Sequence, residues 1–279
     1  MKKPLILASS LLTLVFLIAA CGSDSTPAPQ INQVSFTAMD YGFSGSQFIP
    51  SGMTEMVMTN TGRELHHQQL LTVPEGMATE DLIAGLVSGE AGPPPPGVEA
   101  AGSVGAIGPG ATGITTLNMT AGDYLLVCFI PNAEGVPHMA LGMIKPITVI
   151  ESSAPVAALP EAKVSIDMVD FGFGLSGAIS AGPQNISVTN KGEEEHEAFL
   201  IRLAQNATAT DFVGAVALDA PLDLLPLKLW LVSCPLPQGV AVHSPSMLLL
   251  ADMRSYVSWK PGQRSPHFAL GMLEEFSIQ

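Results

Sequence analysis

Basic residues are scarce in this 279-residue chain, which has 11 lysines and arginines against 25 aspartates and glutamates. The formal net charge is -14 at pH 7. Nucleic acid and anionic lipid headgroups repel such a surface, so we expect no nucleic-acid partner. The same acidity also serves simply to keep a protein soluble.

Long apolar runs are rare too, and the one clear example lies at the start of the chain. Lys2 and Lys3 precede LILASSLLTLVFLIAA, residues 5–20, and Cys21 follows. This layout is typical of a secretory signal. The alternative is an uncleaved membrane helix, but a bilayer span needs about 20 apolar residues.

The segment IAAC, which ends at Cys21, fits the bacterial lipobox, in which the cysteine is lipidated and the preceding peptide is removed. The polar stretch GSDSTPAPQ behind it reads as a tether. We therefore predict an extracytoplasmic protein that is anchored to the cell membrane by its N-terminal lipid, on the periplasmic or cell-surface side. Its parts are a signal peptide over 1–20 and a lipidated Cys21 with a tether over 21–30.

An internal repeat organises the rest of the chain. VSFTAMDYGF at 34–43 matches VSIDMVDFGF at 164–173, and PHMALGM at 137–143 matches PHFALGM at 266–272. The offset is 130 residues at first and 129 at the end. We predict a first domain over 31–150, a linker over 151–160 and a second domain over 161–279.

Short apolar runs rich in β-formers, separated by glycine and proline clusters, predict an all-β fold in each repeat. TEDLIAGLV, residues 79–87, has helical spacing and predicts one short helix. Residues 92–110, rich in glycine and proline, predict a long loop. Between about 220 and 262 the second repeat matches nothing in the first, because of either a frameshift or true divergence.

Four residues of the first repeat have the chemistry of a copper site. Two imidazoles and a thiolate in one plane, with a weak thioether on the axis, suit both Cu(I) and Cu(II). The side chains that provide this set, in chain order, are His66, Cys128, His138 and Met143.

These residues, with Asn60 before them and Gly142 beside Met143, resemble the plastocyanin/azurin (cupredoxin) family. The resemblance covers most of 34–150, and parts of it recur over 164–279. It implies tandem Greek-key β-barrels or sandwiches, with one type 1 copper in the first domain. The nine residues between Cys128 and His138 form a longer loop than plastocyanins and azurins have.

Two neighbouring residues compete with this assignment. His67 lies beside His66, but only one can face inward on a strand, and the repeat matches His66 with His196. Met139 matches Phe268, so Met143 is the expected axial ligand. A disulfide between Cys128 and Cys234 is a further alternative.

The second repeat keeps three of the four positions, as His196, His267 and Met272, whereas Val257 or Ser258 stands opposite the cysteine. A type 1 centre requires a thiolate. We therefore expect the second domain to be a degenerate copy with a structural or binding role.

The sequence leaves two hypotheses about function. The first is a membrane-tethered copper protein that transfers single electrons to or from a redox partner protein. The alternative is a copper-free surface module that binds a protein or an envelope component. We do not expect an enzyme, because the chain has six histidines but no His-x-His pair, nucleophile elbow, HExxH or phosphate loop.

Overall fold

The computed structural model describes residues 28–88, 95–180, 184–194, 196, 198–203, 207–211, 214, 227–232, 241–244 and 272. The predicted signal peptide and the lipidation site at Cys21 lie outside these residues, as do Cys234, Val257, Ser258 and His267. Within the described part, none of the helices has the length and apolar character needed to cross a membrane.

Strands dominate the described residues, which confirms the all-β prediction. The predicted helix is present as α1, Thr79–Ser88, and a 3-10 turn covers His138–Leu141. The strands are β1 Asn32–Met39, β2 Gly42–Gly45, β3 Phe48–Pro50, β4 Gly52–Asn60, β5 Gln69–Val73, β6 Thr112–Met119, β7 Gly122–Val127, β8 Ile144–Ile150, β9 Val164–Val169, β10 Gly172–Ser176, β11 Ile186–Asn190, β12 Phe199–Leu203, β13 Leu227–Val232 and β14 Ala241–Ser244.

The strands of the first repeat lie in two sheets. One has the order β2-β1-β4-β6, in which β1 and β4 are parallel, and the other has the order β3-β8-β7-β5. Alternate residues of each strand point to opposite faces, so each sheet buries one row of apolar side chains. The buried core includes Val34, Phe36, Ile49, Met56, Leu70, Leu117, Met119, Leu126, Ile147 and Val149.

The second repeat reproduces three strand pairings of the first, with β9–β10 as the counterpart of β1–β2, β9–β11 of β1–β4, and β11–β14 of β4–β6. In the first repeat Val34 of β1 lies opposite Met56 of β4, and in the second Val164 of β9 lies opposite Ile186 of β11. Both pairs of strands are parallel, and all four residues are buried. The sequence repeat at an offset of 130 is therefore also a repeat in strand register.

The backbone correspondence continues into the stretch where the sequence correspondence is lost. Leu71 forms a bridge with Ala100 in the first repeat, and Ile201 pairs with Leu229 in the second. Strand β14 lies beside β11 as β6 lies beside β4. The extended segment near residue 100 thus has a true strand, β13, as its counterpart.

Strand β14 also connects the two repeats. His243 pairs with Thr116 of β6, which gives one eight-stranded sheet in the order β10-β9-β11-β14-β6-β4-β1-β2. Apolar side chains of both repeats, from Val34 to Met272, belong to one buried cluster. The domain boundaries stay predictions from the sequence.

Replacing Leu126 with alanine should test the core between the two sheets of the first repeat. Leu126 is fully buried, and a cavity left by such a truncation costs roughly 2–5 kcal/mol. We expect the free energy of unfolding in urea to fall by that amount. Leu141→Ala is the matched control because Leu141 is 40% exposed, and an equal loss in both variants would contradict the assigned core.

Candidate metal centre

A buried asparagine fixes the loop that carries His66. The Nδ2 of Asn60 donates to the carbonyl oxygens of Glu64 and Ile107, at 2.8 and 2.9 Å, and its Oδ1 accepts from the Gly62 N–H at 2.9 Å. Gly62 has room only for hydrogen, because a Cβ there would collide with Asp40 and with the His66 ring. The turn after β4 is therefore held in one shape by side-chain hydrogen bonds.

His66 is fully buried and has a carboxylate behind its ring. Its Nε2 lies 3.3 Å from Oδ1 of Asp40, which also accepts from the Arg63 backbone N–H at 2.7 Å. That backbone hydrogen bond lowers the pKa of Asp40 to about 2, so the carboxylate is ionised at neutral pH. Burial lowers the pKa of His66 and favours its neutral form.

Cys128 follows directly after β7 and is a free, fully buried thiol. Its N–H donates to the carbonyl of Met143, and its carbonyl accepts from the Met139 N–H. Burial raises the pKa of the Cys128 thiol to about 12. In the metal-free protein this residue is therefore a thiol at neutral pH.

His138 begins the 3-10 turn and is fully buried. Its N–H donates to the Ile130 carbonyl at 2.8 Å, and Gly142 ends the turn in the left-handed region with a φ of 108°. The Nε2 of the ring lies 2.7 Å from Oε2 of Glu64. Tyr41 packs edge-on against the ring, with centroids 5.2 Å apart.

The donor atoms of His66, Cys128 and His138 converge. The two Nδ1 atoms are 3.1 Å apart, and the Cys128 Sγ is 3.5 Å from the His138 Nδ1. All three donor atoms lie within 4.8 Å of one another. A first-row metal holds nitrogen at about 2.0 Å and sulfur at about 2.3 Å, so donors of one ion lie roughly 3–4 Å apart.

The carboxylates decide which ring nitrogens face the shared point. A carboxylate accepts a hydrogen bond, so Asp40 and Glu64 favour a proton on Nε2 of His66 and of His138. A ring with its only proton on Nε2 has a lone pair on Nδ1, so in this tautomer two lone pairs would face each other across 3.1 Å. Two such acceptors repel unless a cation or a proton lies between them, so the donor set fits a bound cation.

Met143 is adjacent to this group through the backbone. It is fully buried, its N–H donates to the His138 carbonyl at 3.0 Å, and its carbonyl accepts from Cys128 at 3.2 Å. Met139 instead packs beside helix α1 in a separate apolar cluster. The axial role of Met143 stays a prediction, as does metal binding by the other three residues.

His67 supports the segment that carries Cys128. Its Nε2 accepts from the backbone N–H of Phe129 at 2.8 Å, and its mostly buried ring packs edge-on against the Phe129 ring. Burial lowers the pKa of His67 to about 3. This residue fixes the backbone next to the cysteine rather than joining the converging donors.

The second repeat keeps part of the same arrangement. His196 is fully buried with its Nε2 2.9 Å from Oδ1 of Asp170, and Asn190 donates to the Glu194 carbonyl at 2.7 Å. Met272 is buried as well. The turn that positions the first histidine is thus present in both repeats.

Sequence reasoning missed Asp40, Glu64 and Tyr41. A usable signal existed for the two acids, because Asp40 matches Asp170 and Glu64 matches Glu194 at the offset of 130. Acidic residues on turns are common, however, and only the fold brings these two to the histidines.

His67→Gln should change how stability depends on pH. The folded-state pKa of His67, about 3, lies below the ordinary 6.5, so the unfolded chain takes up the proton first as the pH falls. The contribution of neutral His67 to the free energy of unfolding is complete above pH 6.5 and is lost progressively as the pH falls toward about 3. Glutamine can still accept from Phe129 but does not titrate.

Urea unfolding of the metal-free proteins between pH 7 and pH 4 measures this difference. We expect the wild-type protein to lose more free energy of unfolding over that interval than His67→Gln. Parallel curves would show that His67 does not titrate as its burial implies.

No protein-family model and no curated protein matches the chain. Among solved structures it is similar to auracyanin A, described as a "blue" copper protein from Chloroflexus aurantiacus, at 18% identity and a TM-score of 0.31, over 43% of this chain and 100% of that one. It is similar to reduced auracyanin from Roseiflexus castenholzii at 20% identity and a TM-score of 0.30, over 43% and 97%. A third similar structure is a copper nitrite reductase from Nitrosomonas europaea, at 13% identity and a TM-score of 0.26, over 79% and 86%.

Proposed function

We propose that the first repeat binds one copper ion and transfers single electrons to or from a redox partner protein outside the cytoplasm, tethered to the membrane by a lipid on Cys21. The observation that carries this proposal is the convergence of three buried donors, with the His66 and His138 Nδ1 atoms 3.1 Å apart and the Cys128 Sγ 3.5 Å from the latter. Met143, which is fully buried beside them, would supply a thioether sulfur as the fourth ligand.

The donor chemistry favours copper over other ions. Thiolate and thioether sulfur select soft Cu(I), imidazole suits Cu(II), and the combination tolerates both. When bound, copper supplies a reversible one-electron change at this point. The residues around it contribute a dry site with fixed donors, since all three side chains are fully buried.

Burial also supports electron transfer over catalysis. The side chains of His66, Cys128 and His138 are shielded from solvent, so a substrate cannot reach the donors directly. Backbone hydrogen bonds among Cys128, His138 and Met143 hold the ligand loop in place. A rigid set of donors limits the rearrangement that accompanies a change of charge.

A copper-free module is the second candidate, and one contact favours it. A proton shared between the His66 and His138 Nδ1 atoms at 3.1 Å would hold the rings together without any metal. In that case the loops around the site would bind a protein or an envelope component.

Titration with Cu(II) should distinguish the two candidates. We expect an intense thiolate-to-copper absorption band in the visible spectrum, at one copper per chain, that Cys128→Ser abolishes. Cys234→Ser is the matched control and should retain the band. A wild-type protein without the band, or one that is copper-free when purified from its native host, would support the second candidate.

Copper affinity should also rise with pH. The raised pKa of Cys128, about 12, means that the thiol must release one proton when it becomes a ligand. We expect the affinity for Cu(I) to increase about tenfold per pH unit near neutrality, measured by competition with a chromophoric chelator. Cys128→Ser should lose the part of the pH dependence that comes from thiol deprotonation. A pH-independent affinity in the wild type would argue against thiolate ligation.

A further inference from the structure

We propose that Glu64 is a positioning residue, which holds the His138 ring in the orientation needed for metal binding and sets the relative affinity for Cu(II) and Cu(I). The inference rests on the proposed copper function and names a residue that sets the reduction potential of the copper site.

Each oxygen of the Glu64 carboxylate has its own partner. Oε2 accepts from His138 Nε2 at 2.7 Å, and Oε1 accepts from the Tyr41 hydroxyl at 3.3 Å. The His138 side chain is fully buried, whereas that of Glu64 is 35% exposed. The Glu64 carboxylate therefore lies between the outer edge of the His138 ring and the solvent.

This contact determines which nitrogen of His138 can be a ligand. A ring that donates through Nε2 keeps its lone pair on Nδ1, the nitrogen 3.1 Å from His66 and 3.5 Å from Cys128. Rotation of the ring would break the 2.7 Å hydrogen bond. Glu64 thus couples the tautomer of His138 to its orientation.

The side chain of Glu64 can be altered without disturbing the loop that carries it. The Asn60 side chain donates to the backbone carbonyl of Glu64, not to its carboxylate. Asp40, by contrast, also binds Arg63 through both oxygens, and its counterpart Asp170 binds His196 in the repeat without a matching cysteine. Asp40 therefore supports the turn as well, and Glu64 gives the cleaner test.

The charge of Glu64 affects the two oxidation states of copper differently. A negative group one imidazole away from the ion stabilises Cu(II) more than Cu(I), because the attraction scales with ionic charge. Loss of such an outer partner typically costs 10–100-fold in metal affinity. A tenfold difference between the two states corresponds to about 59 mV in a one-electron potential.

Glu64→Gln should test this role, with Glu134→Gln as the matched control. Glu134 is exposed in the loop between Cys128 and His138, so its replacement removes the same charge without touching either ring. We expect Glu64→Gln to weaken Cu(II) binding about tenfold more than Cu(I) binding and to raise the potential accordingly, by about 59 mV. Glu134→Gln should leave the affinities and the potential unchanged.

Two results would overturn the proposal. One is an equal shift of potential in both variants, which would reflect net charge alone, and the other is a Glu64→Gln protein with an unchanged potential. Urea unfolding of the metal-free variants checks that both remain folded.

The metal-free protein gives a readout that does not depend on copper. Two-bond proton–nitrogen correlations should show His138 of the wild type with a proton on Nε2, and Glu64→Ala should lose this preference. A wild-type His138 with a bare Nε2 would refute the positioning role. A protein that binds no copper yet keeps the Nε2 proton would refute the copper function and still support the positioning of the ring.

Discussion

The site depends on one contact that the protein must enforce, the approach of two imidazole nitrogens to 3.1 Å. Two neutral rings would not adopt it freely, since each presents a lone pair to the other. Asp40 and Glu64 form hydrogen bonds to the outer edges of the rings, and the Asn60 side chain holds the backbone turn before His66.

The two sheets contribute to the site in different ways. Strand β4 ends at Asn60 and leads into the turn before His66, whereas β7 delivers Cys128 and β8 begins immediately after Met143. The loop near Ile107 is held against the turn that bears His66, because its backbone exchanges two hydrogen bonds with that of His66. Residues far apart in the chain therefore meet at one end of the sandwich.

The sequence predicted the strands, helix α1 and the residues that converge, because alternation, helix signals and donor type are local properties. It did not predict the roles of Glu64 and Asp40, since a carboxylate on a turn has no local pattern that reveals its partner 74 or 26 residues away. Nor did it predict β13 and β14, where strand register is maintained without recognisable similarity of side chains. Hydrogen bonds between backbones place those strands, and a comparison of side chains cannot detect them.

The Asp170–His196 pair of the second repeat bears on how such a chain can change over time. Among the described residues, the hydrogen bonds that shape this turn involve no cysteine, so the residue at the position of Cys128 can change while the turn and the sheet behind it remain intact. A duplicated copy can then change the chemistry of that position in a single step and survive as a folded unit open to a new use.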